Sequence, residues 1–362
     1  MNLPQGQRVV VSEFAESPPE AIERLQLVPM PAPDLATLRR GDVLIAVKSA
    51  QVGWVDLLMS SGQYQHMARP PYTPGLEYSG VVAWRGPDAA GLAEGDTVVV
   101  DPFLAGPRSL GDYQQWGGFA SYAVAPIEAV KKLPGPLTLD QAACLFGNYE
   151  TAWHCLVARG RLSAGETVLI NGASGSTGLA AVQIAKLRGA TVIATGRSDA
   201  KLALVREHGA DHVVNISGGS FRDQVKALTH GRGVDVVYDG VGGDVSLESL
   251  RCVAFGARFL IVGWASTPDV ARGKGGRGAP NVNMLPTNLM MMKGLDVLAC
   301  PTAIATAADP SIREARLREI LGWAEAGRIT PHVSHVFPLS EVKAALRAKW
   351  SGDVIGGCVL HP

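Results

Sequence analysis

The pattern of apolar and polar positions changes texture near Leu139. Upstream, short β-branched runs at 8–12, 42–50, 80–84, 97–101 and 120–125 alternate with Gly and Pro punctuation. Such runs predict strands, so residues 1–145 read as an all-β-like module. A helical stretch then passes through Cys144 and continues over 149–158, after which strand and helix patterns alternate. Strands are predicted at 167–171, 191–195, 212–215, 234–238, 258–262 and 295–299, with helices starting near Gly178, Asp199, Ser220, Val245 and Asn288. This alternation predicts a parallel, doubly wound sheet and an α/β fold. Residues 329–360 return to strand-like runs around one helix at 340–349. The expected organisation is therefore one domain of 1–145 with 330–362 and a second of 146–329.

A chain of 362 residues exceeds the size at which one core stops growing, which agrees with two domains. Lys plus Arg and Asp plus Glu both number 33, so no global field steers the chain toward nucleic acid or an anionic membrane. No apolar run approaches the roughly 18 residues of a membrane span, and the first residues lack the apolar core of a signal peptide. A cytoplasmic protein is the expectation. Cys144, Cys155, Cys252, Cys300 and Cys358 form no C-x-x-C pair and fit reduced thiols used as small hydrophobes.

The strongest chemical signal begins at Thr167: TVLINGASGSTGLAAVQIAKLRGATVIATGRSDAK. A β-branched run leads into Gly172, Gly175 and Gly178, and a helix rich in Ala, Leu and Ile follows to Gly189. Glycines three residues apart let the backbone turn tightly and approach a pyrophosphate, whose charge meets the unpaired N–H groups of the helix start. A lone glycine triplet is weak evidence, but strand, turn, helix and second strand supply the context of a dinucleotide site. At the end of the second strand, where NAD enzymes place a carboxylate for the ribose 2′-hydroxyl, stand Thr195, Gly196, Arg197 and Ser198, with Lys201 close by. A guanidinium, an ammonium and hydroxyls suit a 2′-phosphate, so NADP(H) is the expected cofactor.

These residues resemble the quinone oxidoreductase branch of the medium-chain dehydrogenases/reductases, which includes zeta-crystallins and related enoyl reductases. The resemblance covers nearly the whole chain. It runs through VGWVDLLMSSGQY (52–64), PGLEYSGVV (74–82), EGDTVVV (94–100), GGFASYAV (117–124), GNYETAWHCL (147–156), NGASGSTGLAAVQIAK (171–186), VDVVYDGVGGD (234–244) and GARFLIVG (256–263). It implies a GroES-like β domain and a Rossmann domain with the cofactor in the cleft between them, assembled as a homodimer or homotetramer. By motif position it implies that Gly175, Ser176, Thr177 and Gly178 line the pyrophosphate and that Arg197 and Lys201 hold the 2′-phosphate. Thr151, Val241, Gly242, Gly263 and Trp264 fall where the family surrounds the nicotinamide.

Zinc-dependent relatives carry a Cys at the position of Gly53, a His at Leu76 and a further Cys near Asn148. Their lobe of four zinc-binding cysteines corresponds to 101–117. None of these ligands is present, so a zinc ion would lack its coordination sphere and no metal is expected. Gly53 also stands where quinone oxidoreductases usually have Asn, which removes a polar contact and adds space. Without a Lewis acid, a conjugated acceptor is an easier substrate than a plain alcohol or ketone. Hydride addition to an enone, an enoyl thioester or a quinone leaves an anion that needs hydrogen-bond donors and a proton. Resemblance to enoyl reductases implies that Tyr64 supplies that proton; the alternative is that Tyr64 packs over the cleft and orients the nicotinamide.

Several neighbours receive blander readings. Asp56 and Glu77 are expected to hold β-domain turns, His66 to be a solvated loop residue, and Leu289 with Met290, Met291 and Met292 to form an apolar helix face. His154 and Cys155 are adjacent on a helix and point in different directions, which argues against a nucleophilic pair. The leading function is NADPH-dependent reduction of a small electrophile, a quinone or an α,β-unsaturated carbonyl, with no nucleic acid or membrane partner. An enoyl-thioester reductase is the enzymatic alternative, its acyl carrier's phosphates meeting Arg272, Lys274 and Arg277 in the glycine-rich stretch 271–280, which otherwise reads as a surface loop. A non-catalytic crystallin-type or RNA-binding role is the third, and no basic, aromatic-rich strip favours RNA.

Overall fold

In a computed structural model of the protein, which describes residues 3–266 and 283–362, the β-rich runs of the N-terminal part pair into one sheet of seven strands. Its order is Val333–Pro338, Gly357–His361, Asp42–Gln51, Tyr78–Arg85, Thr97–Val100 and Val130–Lys132, with Tyr122–Pro126 also pairing Asp42–Gln51. Period-two alternation sorts the side chains: Val43, Ile45 and Val47 join the main core, while Leu44 turns to the other face with Met30, Tyr122 and Val124. The C-terminal segment does return to this sheet, Val359 facing Gln51 in antiparallel register. A two-stranded ribbon, Gly6–Val10 with Gln26–Met30, completes the β structure of this unit.

This first unit is less purely β than its sequence pattern indicates. Besides the helix Leu139–Ala143, which lies in the stretch the sequence pattern reads as helical, helices occupy Pro18–Arg24 and Trp54–Ser60. Ser17 caps the first, accepting from Glu20 N at 3.4 Å with Pro18 opening the helix. In the second, Asp56 reaches back from the first turn and accepts from Gly53 N at 2.8 Å. Each is too short to show a helical period.

The described residues of the second unit, within Asn148–Trp323, form one sheet of six parallel strands. We label them β1 (Thr167–Asn171), β2 (Thr191–Gly196), β3 (His212–Asn215), β4 (Val234–Asp239), β5 (Val253–Ile261) and β6 (Asp296–Ala299). The helices that follow β1 to β5 are α1 (Ser176–Leu187), α2 (Asp199–Glu207), α3 (Arg222–Leu228), α4 (Gly243–Cys252) and α5 (Thr287–Lys293). The sheet order β3-β2-β1-β4-β5-β6 is the doubly wound Rossmann arrangement, whose winding reverses between β1 and β4. Leu169, Ile193, Val237 and Phe259 form its buried centre.

Strand β5 begins five residues before the predicted 258. Its early part contains a register irregularity against β4, where Gly256 has φ +73° and Phe255 is 83% exposed, so the hydrophobic run gives no clean period there. Helix α5 carries the expected apolar residues Leu289, Met290, Met291 and Met292. None of its residues is buried, and Met291 and Met292 are 77% and 68% exposed. The stretch 271–280, with Arg272, Lys274 and Arg277, lies outside the described residues. All five cysteines are free and buried. No helix among the described residues is long and apolar enough to cross a membrane.

Candidate dinucleotide-binding site

Strand β1 ends at Asn171, and the chain turns at Gly172 (φ +65°) before Gly175 caps α1. Gly178 is the tightest point: a Cβ there would lie 2.4 Å from the Gly172 carbonyl oxygen and 2.8 Å from Ala173 Cα. Only glycine lets α1 start this close to the loop. The half-buried Ser176 and Thr177 thus open a 12-residue helix at the carboxyl end of β1, where the first-turn N–H groups and the helix dipole suit an anion.

Strand β2 ends at Gly196, and Arg197 is exposed just beyond it. Ser198 caps α2, its Oγ accepting from Lys201 N at 3.5 Å. The nearest carboxylate, Asp199, accepts from Asn215 Nδ2 at 2.7 Å and is thereby turned toward β3. Thr195 departs from the expectation of a hydroxyl offered to the cofactor. Its side chain is fully buried and donates to Asn171 Oδ1 at 2.9 Å.

The third loop follows β4. Asp239 accepts from Val241 N at 3.0 Å and Gly242 N at 3.3 Å, from Asn171 Nδ2 at 3.2 Å, and from the Ser246 hydroxyl. Gly242 adopts φ +81° and opens α4; a Cβ there would stand 3.1 Å from Trp264 Cα. Hydrogen bonds from Ala265 N to Gly240 O (3.1 Å) and Ser266 N to Val241 O (2.8 Å) fasten this turn to the segment carrying Gly263 and Trp264. A Cβ on Gly172 would meet Val241 Cγ2 at 3.1 Å. The structure therefore brings the loops after β1, β4 and β5 together at the carboxyl edge, at the point where the winding reverses. Thr151 lies half-buried on the helix Phe146–Trp153, and none of these hydrogen bonds reaches it.

Asn171, Asp239 and Ser246 hold the turns of the candidate site, and motif reading does not select them. For Asn171 and Asp239 the signal is faint, a polar residue ending a buried strand directly before glycine, in ING and YDG; Ser246, inside helix α4, has no such signal. Nearby, burial and then the Arg316 and Arg159 charges push His154 down to about 4, while burial pushes the Cys155 thiol well up. Both shifts run against an imidazolium–thiolate pair.

In the first unit Asp56 is a hub, accepting from Gly75 N at 3.1 Å and Leu76 N at 3.2 Å besides Gly53 N. Burial pushes its carboxyl up to about 6 against the opposing pull of these three N–H groups. Glu77 accepts from Gly147 N at 3.0 Å. Both carboxylates hold turns. Leu76 is buried in the core, and among the described residues no group of three His, Cys, Asp or Glu side chains could hold a metal. Tyr64 is half-buried beside the core, its ring edge-on to His66 with centroids 6.0 Å apart. His66 is thus half-buried rather than solvated, its ring set against that of Tyr64.

Two family profiles match: an alcohol dehydrogenase GroES-like domain over 39–135 and a zinc-binding dehydrogenase over 176–302. Quinone oxidoreductase-like protein 2 of Bos taurus is 33% identical over 305 residues, covering 84% of this chain and 80% of its own length. A probable oxidoreductase from Mycobacterium abscessus superposes with TM-score 0.79 at 29% identity, over 99% of this chain and 100% of the other. The mycobacterial protein Rv1454c, solved in complex with NADPH, superposes with TM-score 0.78 at 25% identity over the same shares. Fold, glycine-gated helix start and relatives agree: the chain belongs to the medium-chain dehydrogenase/reductase family, on its quinone oxidoreductase branch.

Proposed function

We propose that the protein is an NADPH-dependent, zinc-independent oxidoreductase that delivers hydride to a quinone or an α,β-unsaturated carbonyl. The observation that carries this reading is the close start of α1 at Gly178 together with an exposed Arg197 at the end of β2. The first suits a pyrophosphate and the second a 2′-phosphate, with Asp199 already engaged by Asn215. NADPH in the Rv1454c complex supports the same cofactor. When bound, NADPH would supply the hydride. Ser176 and Thr177 would hold its pyrophosphate, Arg197, Ser198 and Lys201 its 2′-phosphate, and Thr151, Val241, Gly242, Gly263 and Trp264 its nicotinamide. Gly53 and Leu76 offer no metal ligand, so activation of the acceptor falls to hydrogen-bond donors. A homodimer or homotetramer is the proposed assembly.

Calorimetric titration tests the cofactor. Arg197→Glu should weaken NADPH by roughly one to two decades, the effect of losing a charge-assisted contact of about 1.5–3 kcal/mol, and leave NADH nearly unchanged. Equal affinity of the unaltered protein for both cofactors would contradict the proposal.

Tyr64 tests the acceptor. An enolate must take its proton on carbon, whereas a hydroquinone anion takes protons on oxygen from water. A positioned acid, typically worth about 100- to 10,000-fold, therefore matters more for enones. Tyr64→Phe should lower enone turnover at least about tenfold while sparing quinone reduction and NADPH affinity. Equal loss with both substrate classes would make Tyr64 a positioning residue instead.

A further inference from the structure

One buried carboxylate at the end of β4 is tied directly to β1 and, through one further side chain, to β2. Asp239 is 1% exposed at the end of β4, and every neighbour within hydrogen-bond distance donates to it: the N–H groups of Val241 and Gly242, the amide of Asn171 and the hydroxyl of Ser246. A carboxylate, which only accepts, answers this all-donor shell. Asn171 is shared in turn, donating to Ser249 Oγ at 2.9 Å and accepting from Thr195 of β2. The turn so held has little shape of its own. Glycines stand at 240, 242 and 243, the last two with φ +81° and +60°, and such a segment samples many conformations when released.

We propose that Asp239 is a positioning residue that fixes the Val241 and Gly242 turn in the form that receives the nicotinamide half of the dinucleotide. The inference rests on the NADPH reading above. Its hold is uneven. Asp239 binds the nicotinamide-side turn directly, through two backbone N–H groups. It reaches the phosphate-binding ends of β1 and β2 only through Asn171 and Thr195, whose mutual bond and strand pairing do not need the carboxylate. Removing it should therefore loosen one half of the cofactor site and leave the other in place.

The test uses the full chain and two probes, NADPH and 2′,5′-ADP, the latter carrying the 2′-phosphate without the nicotinamide half. Asp239→Ala should raise the NADPH Kd roughly tenfold or more, the usual effect of leaving buried donors unpaired, with the 2′,5′-ADP Kd within about twofold of the unaltered protein. Asp239→Asn, which keeps one oxygen for the turn, should fall between the two. A purely structural role would weaken both probes together, and that result, or an unchanged NADPH Kd, overturns the proposal. Should Asp239→Ala not fold, Asp239→Asn must still weaken NADPH by roughly threefold with 2′,5′-ADP spared, or the proposal fails. If the unaltered protein binds neither probe, the NADPH reading falls and this inference with it. If it binds both and the variants show no split, the inference alone falls.

Discussion

Gly178→Ala should raise the NADPH Kd by about 100-fold, although alanine is the better helix former. The added Cβ would lie 2.4 Å from Gly172 O and 2.8 Å from Ala173 Cα and O, and all three atoms belong to the backbone. No side chain can swing aside. Helix α1 must shift away from the loop, and its N–H groups leave the position that faces a pyrophosphate. The fold should also lose about 1–3 kcal/mol to overpacking, read as a lower midpoint in urea. Gly175→Ala is the control for stability: its φ is −73° and its Cβ would rest 3.4 Å from Gly172 O, so denaturation should move by no more than about 0.5 kcal/mol. If Gly178→Ala binds NADPH as the unaltered protein does, close approach is not what this glycine provides.

Glu150→Ala should destabilise the second unit by about 3–5 kcal/mol, the usual consequence of stranding buried charge. Glu150 accepts from Arg313 Nε at 2.7 Å, Arg313 Nη2 at 2.6 Å and Arg316 Nε at 2.8 Å. Arg316 is wholly buried and also donates to Thr306 at 2.7 Å. The buried guanidinium groups of Arg313 and Arg316 would then lose the Glu150 carboxylate. Urea denaturation followed by tryptophan emission should show the loss, since Trp153 lies one helical turn from Glu150. Replacing Glu150, Arg313 and Arg316 together by apolar residues of similar size should recover most of it, because the fault lies in breaking the set rather than in lacking it. A single variant as stable as the unaltered protein would show that water reaches these charges.

The same triad explains what the sequence could not display. Helix Arg313–Glu325 buries Arg313, Arg316, Ile320 and Ala324 at helical spacing. Half of that inward stripe is arginine, so no hydrophobic period marks it. Four of the six strands of the second unit were legible because their β-branched runs end at Gly, Asn or Asp, and the ends of all but β5 shift by only a residue or two. The glycine loop was legible for the same reason, as its motif is local. Thr195 was not. Whether its hydroxyl faces a ligand or Asn171 depends on a strand that pairs from elsewhere. Trp54–Ser60 likewise owes its place to Asp56, whose other partners, Gly75 and Leu76, lie in a distant loop.

The antiparallel pairing of Val359 with Gln51 has a consequence for biosynthesis. The first sheet waits for a strand that the ribosome makes after the entire nucleotide unit, whereas β1 to β6 are contiguous and can assemble as soon as they emerge. Domains form largely in the order of synthesis, and long-range pairings form slowly. Until Gly357–His361 arrives, Val333–Pro338 lacks the one described strand it pairs with, and Asp42–Gln51, already flanked by Tyr78–Arg85 and along 42–46 by Tyr122–Pro126, is unpaired at Ala50 and Gln51, which leaves open edge in the nascent protein. Chaperone demand should therefore concentrate on the half of the protein that begins first and finishes last.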